Sequence, residues 1–206
     1  MNDINSHLAA IQQGIGKEFS NSPSPFSHWL KPIVRSAEAG ALIFEYRIRK
    51  DMTSKIDLIR QTRTKALEII SGLSIPELNK IPEGFNNNII WNLGHLIAAQ
   101  EGIFYLRGKL GLNIEQDFFD SFKNGSRPER NIDAEEIEKI KSLLFSSLDQ
   151  FESDLDRNAF HNYPAWTTSM GIQINSIEDA LDFLPFHEGL HMGHIMAYKR
   201  IIHNKE

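Results

Sequence analysis

Apolar residues recur at spacings of three and four over four long stretches of the chain, which predicts four amphipathic helices. Side chains suited to helix N-caps stand before three of them, at Asn86–Asn88, Asp133 and Ser176. The predicted helices cover about residues 52–71, 89–109, 133–155 and 176–202. Long connections, 110–131 and 156–175, separate the later helices. The sequence therefore predicts a mainly α fold, an antiparallel four-helix bundle with long connections.

The first 51 residues follow a different pattern. Residues 3–17 carry apolar side chains at helical spacing, and a loop with two prolines follows them. Residues 33–49 then predict a β-hairpin, because apolar and polar positions alternate along its second strand. The apolar positions of that strand are Leu42, Phe44, Tyr46 and Ile48. We therefore expect two parts, an appendage of a short helix plus a β-hairpin over 1–51 and the bundle over 52–206.

An isolated two-stranded hairpin is marginally stable in water. The predicted hairpin should therefore pack on the bundle or pair edge to edge with a second copy of the chain. The second arrangement predicts a homodimer.

Composition and charge exclude several classes of function. The net charge of −5 argues against nucleic acid as a partner, since nucleic-acid binders usually carry a clustered basic face. The chain has no cysteine, so it can form neither disulfides nor thiolate metal sites. No apolar run reaches the length of a membrane span, and the N-terminus lacks the pattern of a signal peptide. These features predict a cytoplasmic protein that contacts no membrane.

The last predicted helix carries three histidines on the stripe that should face the bundle interior. His187 and His191 are four residues apart, which places two imidazoles on one side of a helix near enough to bind one ion. His194 continues the same stripe. A single histidine there would be interpreted as a core residue bonded to a carbonyl or hydroxyl. Three in one stripe favour a metal site, because buried polar groups need partners.

A third ligand would have to come from another helix. His95 lies on the second bundle helix in line with the largely apolar positions Trp91, Ala98 and Gly102, so it should also face inward. Three imidazoles leave open positions on an ion, the arrangement of a catalytic site. Histidine ligands suit zinc, nickel, iron and copper, and we expect zinc or nickel.

His187–His191 also matches the His-Glu-x-x-His signature of zinc proteases, in which Glu188 would be the general base. The extended form of that signature fails here, because His194 and Ala197 occupy the positions of its glycine and final histidine. Glu188 points about 100° away from His187 around the helix. We therefore interpret Glu188 as a solvated or helix-pairing carboxylate, with a role as proton acceptor as the alternative.

Two motifs, Trp91–Leu96 and Phe186–His194, resemble those of the DinB (YfiT-like) family of four-helix metalloproteins. The resemblance covers about residues 52–206. In that family one histidine of the second helix and two of the last hold a divalent ion, which implies the ligands His95, His187 and His191. Relatives often carry another residue at His194, so we expect its side chain to contact a ligand, with direct binding to the ion as the alternative.

Two classes of function are compatible with such a site, the first of which the resemblance implies. One is a metal-dependent enzyme acting on a small molecule, either a transferase using a low-molecular-weight thiol or a hydrolase. The other is a non-catalytic metal-binding or regulatory module. In the connection before the last helix, Tyr163, Trp166 and Met170 are either pocket-lining residues or simple anchors.

Residues 1–51 show a weaker resemblance of their own. The stretch from Ser22–Phe26 to Ile43–Thr53 resembles the first helix and strands of hotdog-fold thioesterases. A hotdog domain needs a central helix and further strands, and the bundle pattern begins before either. We therefore infer a hotdog-like fragment without thioesterase activity.

Overall fold

A computed structural model of the protein describes residues 37–203, most of which are helical. The helices are α1 (Ala37–Ile70), α2 (Ile75–Asn79), α3 (Ile89–Glu101), α4 (Gln116–Phe122), α5 (Ala134–Asp156) and α6 (Ile177–His203). A π-helical turn, Gly102–Leu106, continues α3. Strands β1 (Trp166–Thr167) and β2 (Gln173–Ile174) pair antiparallel, with Trp166 opposite Ile174. The predicted mainly α fold is confirmed.

The chain divides into two units, Met1–Asp51 and Met52–Glu206, and α1 runs through their boundary. The predicted short helix at 3–17 and the first strand of the predicted hairpin lie outside the described residues. The hotdog-like character of the first unit therefore stays a prediction.

The predicted second strand of the hairpin is wrong, because residues 42–48 belong to α1. Helix-forming alanines and a glutamate precede this segment, and no proline interrupts the chain between Pro32 and Pro76. The alternating aromatics Phe44 and Tyr46 are more than half exposed, at 64% and 61%, so they do not form a buried strand face. The edge-to-edge dimer loses its basis with the hairpin, and the homodimer stays a prediction.

The bundle of the second unit is organised around α3, which packs on both α5 and α6. Nearly every residue of α3 is buried, because the helix is surrounded by other elements. Asn88 caps α3 by accepting from Trp91 N at 2.8 Å, and Asp133 caps α5 by accepting from Glu136 N at 3.0 Å. None of the described helices combines the length and apolar character needed to cross a membrane. This packing directs one face of α3 toward α6.

Candidate metal centre

Three histidines meet where α3 faces α6. His95 comes from α3, and His187 and His191 come from successive turns of α6. Their ring centroids are 4.5 to 5.2 Å apart. Each ring offers one nitrogen such that the three atoms lie within 4.8 Å of one another. The structure thus brings together the three residues that the sequence nominated, in an arrangement that could hold a metal ion.

His95 is buried and held from two sides. Its ring stacks on Trp91 with centroids 4.7 Å apart and planes 10° apart. Its Nδ1 lies 2.7 Å from the Phe122 carbonyl oxygen. Because a carbonyl only accepts hydrogen bonds, Nδ1 carries the proton and the lone pair of Nε2 remains available. Burial lowers the pKa of His95, which keeps the ring neutral at neutral pH.

His191 is oriented by the amide of Asn92. Its Nδ1 donates to Asn92 Oδ1 at 2.8 Å. The Asn92 amide nitrogen donates to the Asn88 carbonyl at 2.7 Å and to Asn87 Oδ1 at 3.2 Å, which fixes the amide oxygen toward His191. As at His95, this contact leaves Nε2 free to bind an ion.

His187 differs from the other two ligand candidates. Its Nδ1 is buried and has no hydrogen-bond partner among the described residues. Burial, with smaller contributions from His95 and Arg63, lowers the pKa of His187 to about 4. Burial, followed by the neighbouring histidines, lowers the pKa of His191 to about 2. Neutral imidazoles with free ring nitrogens fit a metal ion better than they fit the interpretation as satisfied core histidines.

Glu188 is a helix-pairing carboxylate, and it is fully buried rather than solvated. Its Oε1 accepts from Arg63 Nε at 2.9 Å and from Arg63 Nη2 at 2.6 Å, and both side chains are 0% exposed. Arg63 Nη1 donates to the Leu144 carbonyl at 2.6 Å and to Ser147 Oγ at 3.3 Å. Burial raises the pKa of Glu188, and the Arg63 guanidinium opposes that rise. Glu188 Oε2 has no hydrogen-bond partner among the described residues. The contacts of Oε1 support the interpretation of Glu188 as a helix-pairing carboxylate, and its role as a proton acceptor stays the alternative.

His194 is exposed and is not a member of the three-histidine group. Its ring lies 5.7 Å from that of His191 and stacks on Tyr198 with planes 8° apart. The role of His194 beside the ligand candidates stays a prediction.

Sequence reasoning missed Arg63, Asn92 and Phe122, which act on the site or beside it. The position of Arg63 could have indicated a buried partner, since it is a charged residue within the apolar stripe of its helix. Asn92 lies in the motif that contains His95, but nothing in the motif shows that its amide faces α6. Phe122 acts through its backbone carbonyl, which no side-chain pattern reports.

Two aromatic residues that contact His95 also line a cavity. Trp91 and Phe122 line a cavity of about 780 Å³ bordered by α4, α5 and residues 126–132, and none of the three histidines lines it. A pocket of that size suits a small molecule, but no imidazole of the candidate metal centre borders this cavity.

Of the three residues considered as pocket-lining residues or anchors, Tyr163 and Trp166 anchor the β1–β2 hairpin, whereas Met170 is largely exposed. Tyr163 donates to the Ile103 carbonyl at 2.5 Å, and Trp166 Nε1 donates to the Tyr163 hydroxyl at 2.9 Å. The Arg107 guanidinium lies 4.6 Å from the Trp166 ring centroid, and Met170 is 55% exposed. These contacts fasten the hairpin to the π-helical turn.

The chain was compared with models of known protein families and with curated proteins. The family model of the DinB superfamily matches residues 58–195, more than half of the chain, and this range includes all three histidines. A search of curated proteins found no match.

Proposed function

This chain belongs to the DinB superfamily, and we propose that it binds one divalent metal ion through His95, His187 and His191. We further propose that the protein is a metal-dependent enzyme acting on a small molecule. The observation that carries the proposal is the convergence of three neutral imidazoles from two helices. Zinc or nickel is the proposed ion, since both accept imidazole ligands.

The ligand set supports a catalytic site over a structural one. Structural zinc sites usually have four protein ligands, whereas catalytic sites keep a position open. Within residues 37–203, the group contains three candidate ligands, and His194 is not among them. A non-catalytic binding module remains the alternative, and a fourth protein ligand in the loaded protein would favour it.

Thiol transfer is the reaction we favour over hydrolysis. When bound, the ion supplies Lewis acidity that lowers the pKa of a coordinated thiol or water. The chain contains no cysteine, so no thiol of its own would compete with a low-molecular-weight thiol co-substrate. In this proposal the Phe122 carbonyl and the Asn92 amide hold His95 and His191 with Nε2 toward the ion.

The proposal is tested by elemental analysis of the full chain purified without a histidine tag. We expect about one ion per chain, and loss of that ion in His95→Ala, His187→Ala and His191→Ala. His161→Ala is the matched control, because His161 is exposed and lies outside the group. The control should retain the ion.

A wild-type protein that binds no divalent ion even after supplementation would contradict the proposal. Equal metal content in the wild type and the three variants would also contradict it. A metal-loaded protein would then be screened against thiol co-substrates and hydrolysable small molecules. Turnover lost in His191→Ala would support the enzyme, and a loaded protein with a fourth protein ligand and no turnover would favour the binding module.

A further inference from the structure

Helix α4 packs against α3 at Gly94, and it approaches more closely there than a larger residue at that position would allow. A Cβ atom on Gly94 would lie 2.4 Å from Phe122 Cδ1 and 2.6 Å from Phe122 Cγ. Separations below about 3 Å are clashes, so the ring of Phe122 occupies the space that a larger residue at position 94 would need. Phe122 is 6% exposed, and Gly94 and Phe122 fix how deeply α4 sits on α3.

The same residue of α4 bonds to His95 through its backbone. Phe122 is the last residue of α4, and the final carbonyls of a helix have no partner within the helix. The Phe122 carbonyl finds that partner in His95 Nδ1, at 2.7 Å. The bond sets the rotation of the imidazole and its tautomer, and thereby directs Nε2 toward the histidines of α6.

We propose that α4 is a positioning element of the metal centre, acting through the backbone carbonyl of Phe122, and that Gly94 of α3 is the positioning residue that permits its close approach. Gly94 admits the ring of Phe122, and the close approach places the Phe122 carbonyl on His95. This inference rests on the proposed metal binding, which it deepens by identifying what sets the geometry of one ligand. The steric contact uses the side chain of Phe122 and the hydrogen bond uses its backbone, so substitutions can separate them.

A four-protein comparison tests the proposal. Gly94→Ala should push the Phe122 ring away, move the carbonyl from His95 and weaken Zn²⁺ binding by about 10–100-fold. Phe122→Ala keeps the carbonyl and should bind Zn²⁺ within a few-fold of the wild type. In the double variant Gly94→Ala, Phe122→Ala the new methyl group fits the space left by the ring, so affinity should return toward the wild-type value. Zn²⁺ affinity is measured by competition with a chelator at a temperature where every variant is folded.

Gly102→Ala, at the first residue of the π-helical turn that continues α3, is the control. A Cβ there would lie 3.6 Å from the Phe119 ring, an ordinary contact, so affinity should not change. Alanine also favours helix more than glycine does. A merely structural effect of Gly94→Ala would lower the melting temperature without changing Zn²⁺ affinity in the folded protein.

Nitrogen NMR of the imidazoles in the metal-free protein keeps this proposal separate from the proposed function. The wild type should show His95 protonated at Nδ1, and Gly94→Ala should lose that signature while the double variant regains it. If the wild type binds no Zn²⁺, the proposed function is wrong. The proposal that α4 positions a metal ligand is then also wrong, even if the His95 tautomer changes in Gly94→Ala. If Zn²⁺ binds and Gly94→Ala changes neither tautomer nor affinity, the proposal for α4 alone is overturned.

Discussion

Two groups of polar side chains, the pair Arg63–Glu188 and the three histidines, meet at neighbouring residues of α6, and their hydrogen bonding differs. In the pair formed by Arg63 and Glu188, every nitrogen of the guanidinium donates to a protein acceptor. In the histidine cluster, two rings use only Nδ1, and His187 leaves its buried Nδ1 without a partner. Buried polar atoms are normally satisfied. Glu188 Oε2 also lacks a partner among the described residues, so an unpartnered atom does not by itself separate the two groups. The pair is interpreted as structural because its opposite charges bind each other, and the cluster as a ligand site because its three rings offer nitrogens within 4.8 Å of one another.

The hydrogen bonds around Arg63 and Glu188 connect all four helices of the bundle. Gln100 Nε2 donates to the Ser147 carbonyl at 3.0 Å, and Ser147 Oγ also accepts from Arg63. The layer thus joins α1, α3, α5 and α6 one residue away from His187. Such a layer fixes the rotation of α6, which keeps the preceding histidine directed at α3.

The largest expected effect comes from breaking the pair. Arg63→Met should lower the free energy of unfolding by about 3–5 kcal/mol, because it leaves the Glu188 carboxylate buried without its cation. Urea denaturation measures the loss. Glu188→Met in the same chain should recover most of it, since two apolar side chains need no partner.

Arg60→Met is the control for that experiment. Arg60 lies on the same helix and pairs at 2.8 Å with Asp149, whose side chain is 64% exposed. An exposed pair contributes about 1 kcal/mol or less. If Arg63→Met lowered the free energy of unfolding by no more than Arg60→Met does, the interpretation of the buried pair as a structural element would be wrong.

The fold and the three ligand candidates could be predicted because they depend on local patterns. Helical spacing identified the bundle helices, and Asn88 and Asp133 identified two helix starts. The stripe of His187 and His191, with His95 on an apolar face, identified the cluster. Each of these signals is contained within a few turns of one helix.

The partners of these residues could not be predicted, because they come from distant parts of the chain. Arg63 and Glu188 are 125 residues apart, and Asn92 and His191 are 99 residues apart. The wrong strand at 42–48 has a different cause. Aromatic and β-branched residues alternate there, but the flanking residues extend a continuous helix through the segment.

A second prediction concerns the buried carboxyl of Glu101, whose Oε2 accepts from Asn113 N at 2.9 Å. Glu101 is 0% exposed, its Oε1 has no partner among the described residues, and burial raises its pKa to about 7. The folded protein therefore holds this proton more tightly than the unfolded chain, whose pKa is 4.5. Stability is fully present below that value and falls as pH rises toward 7, by about 3 kcal/mol in total. Glu101→Gln should remove this fall.

Urea denaturation at about pH 5 and about pH 8 checks the prediction by comparing the two proteins. The wild type should lose more stability than Glu101→Gln between the two values, since other titrating groups are common to both. Equal losses would show that Glu101 is already ionised in the folded protein. The same variant should leave metal content unchanged, because Glu101 stands outside the histidine group.

The smallest of these effects concerns the amide that orients His191. Asn92→Leu removes the acceptor of His191 Nδ1 and should weaken Zn²⁺ binding by about 10–100-fold, because an unheld ring adopts other rotamers and tautomers. Asn92→Asp keeps an acceptor oxygen and should bind Zn²⁺ at least as tightly as the wild type, since a carboxylate raises the basicity of a ligating imidazole. Both variants lose the donors to Asn87 and Asn88, so the difference in affinity between them isolates the bond to His191. Equal affinities in the Leu and Asp variants would mean that His191 is held by the ion alone.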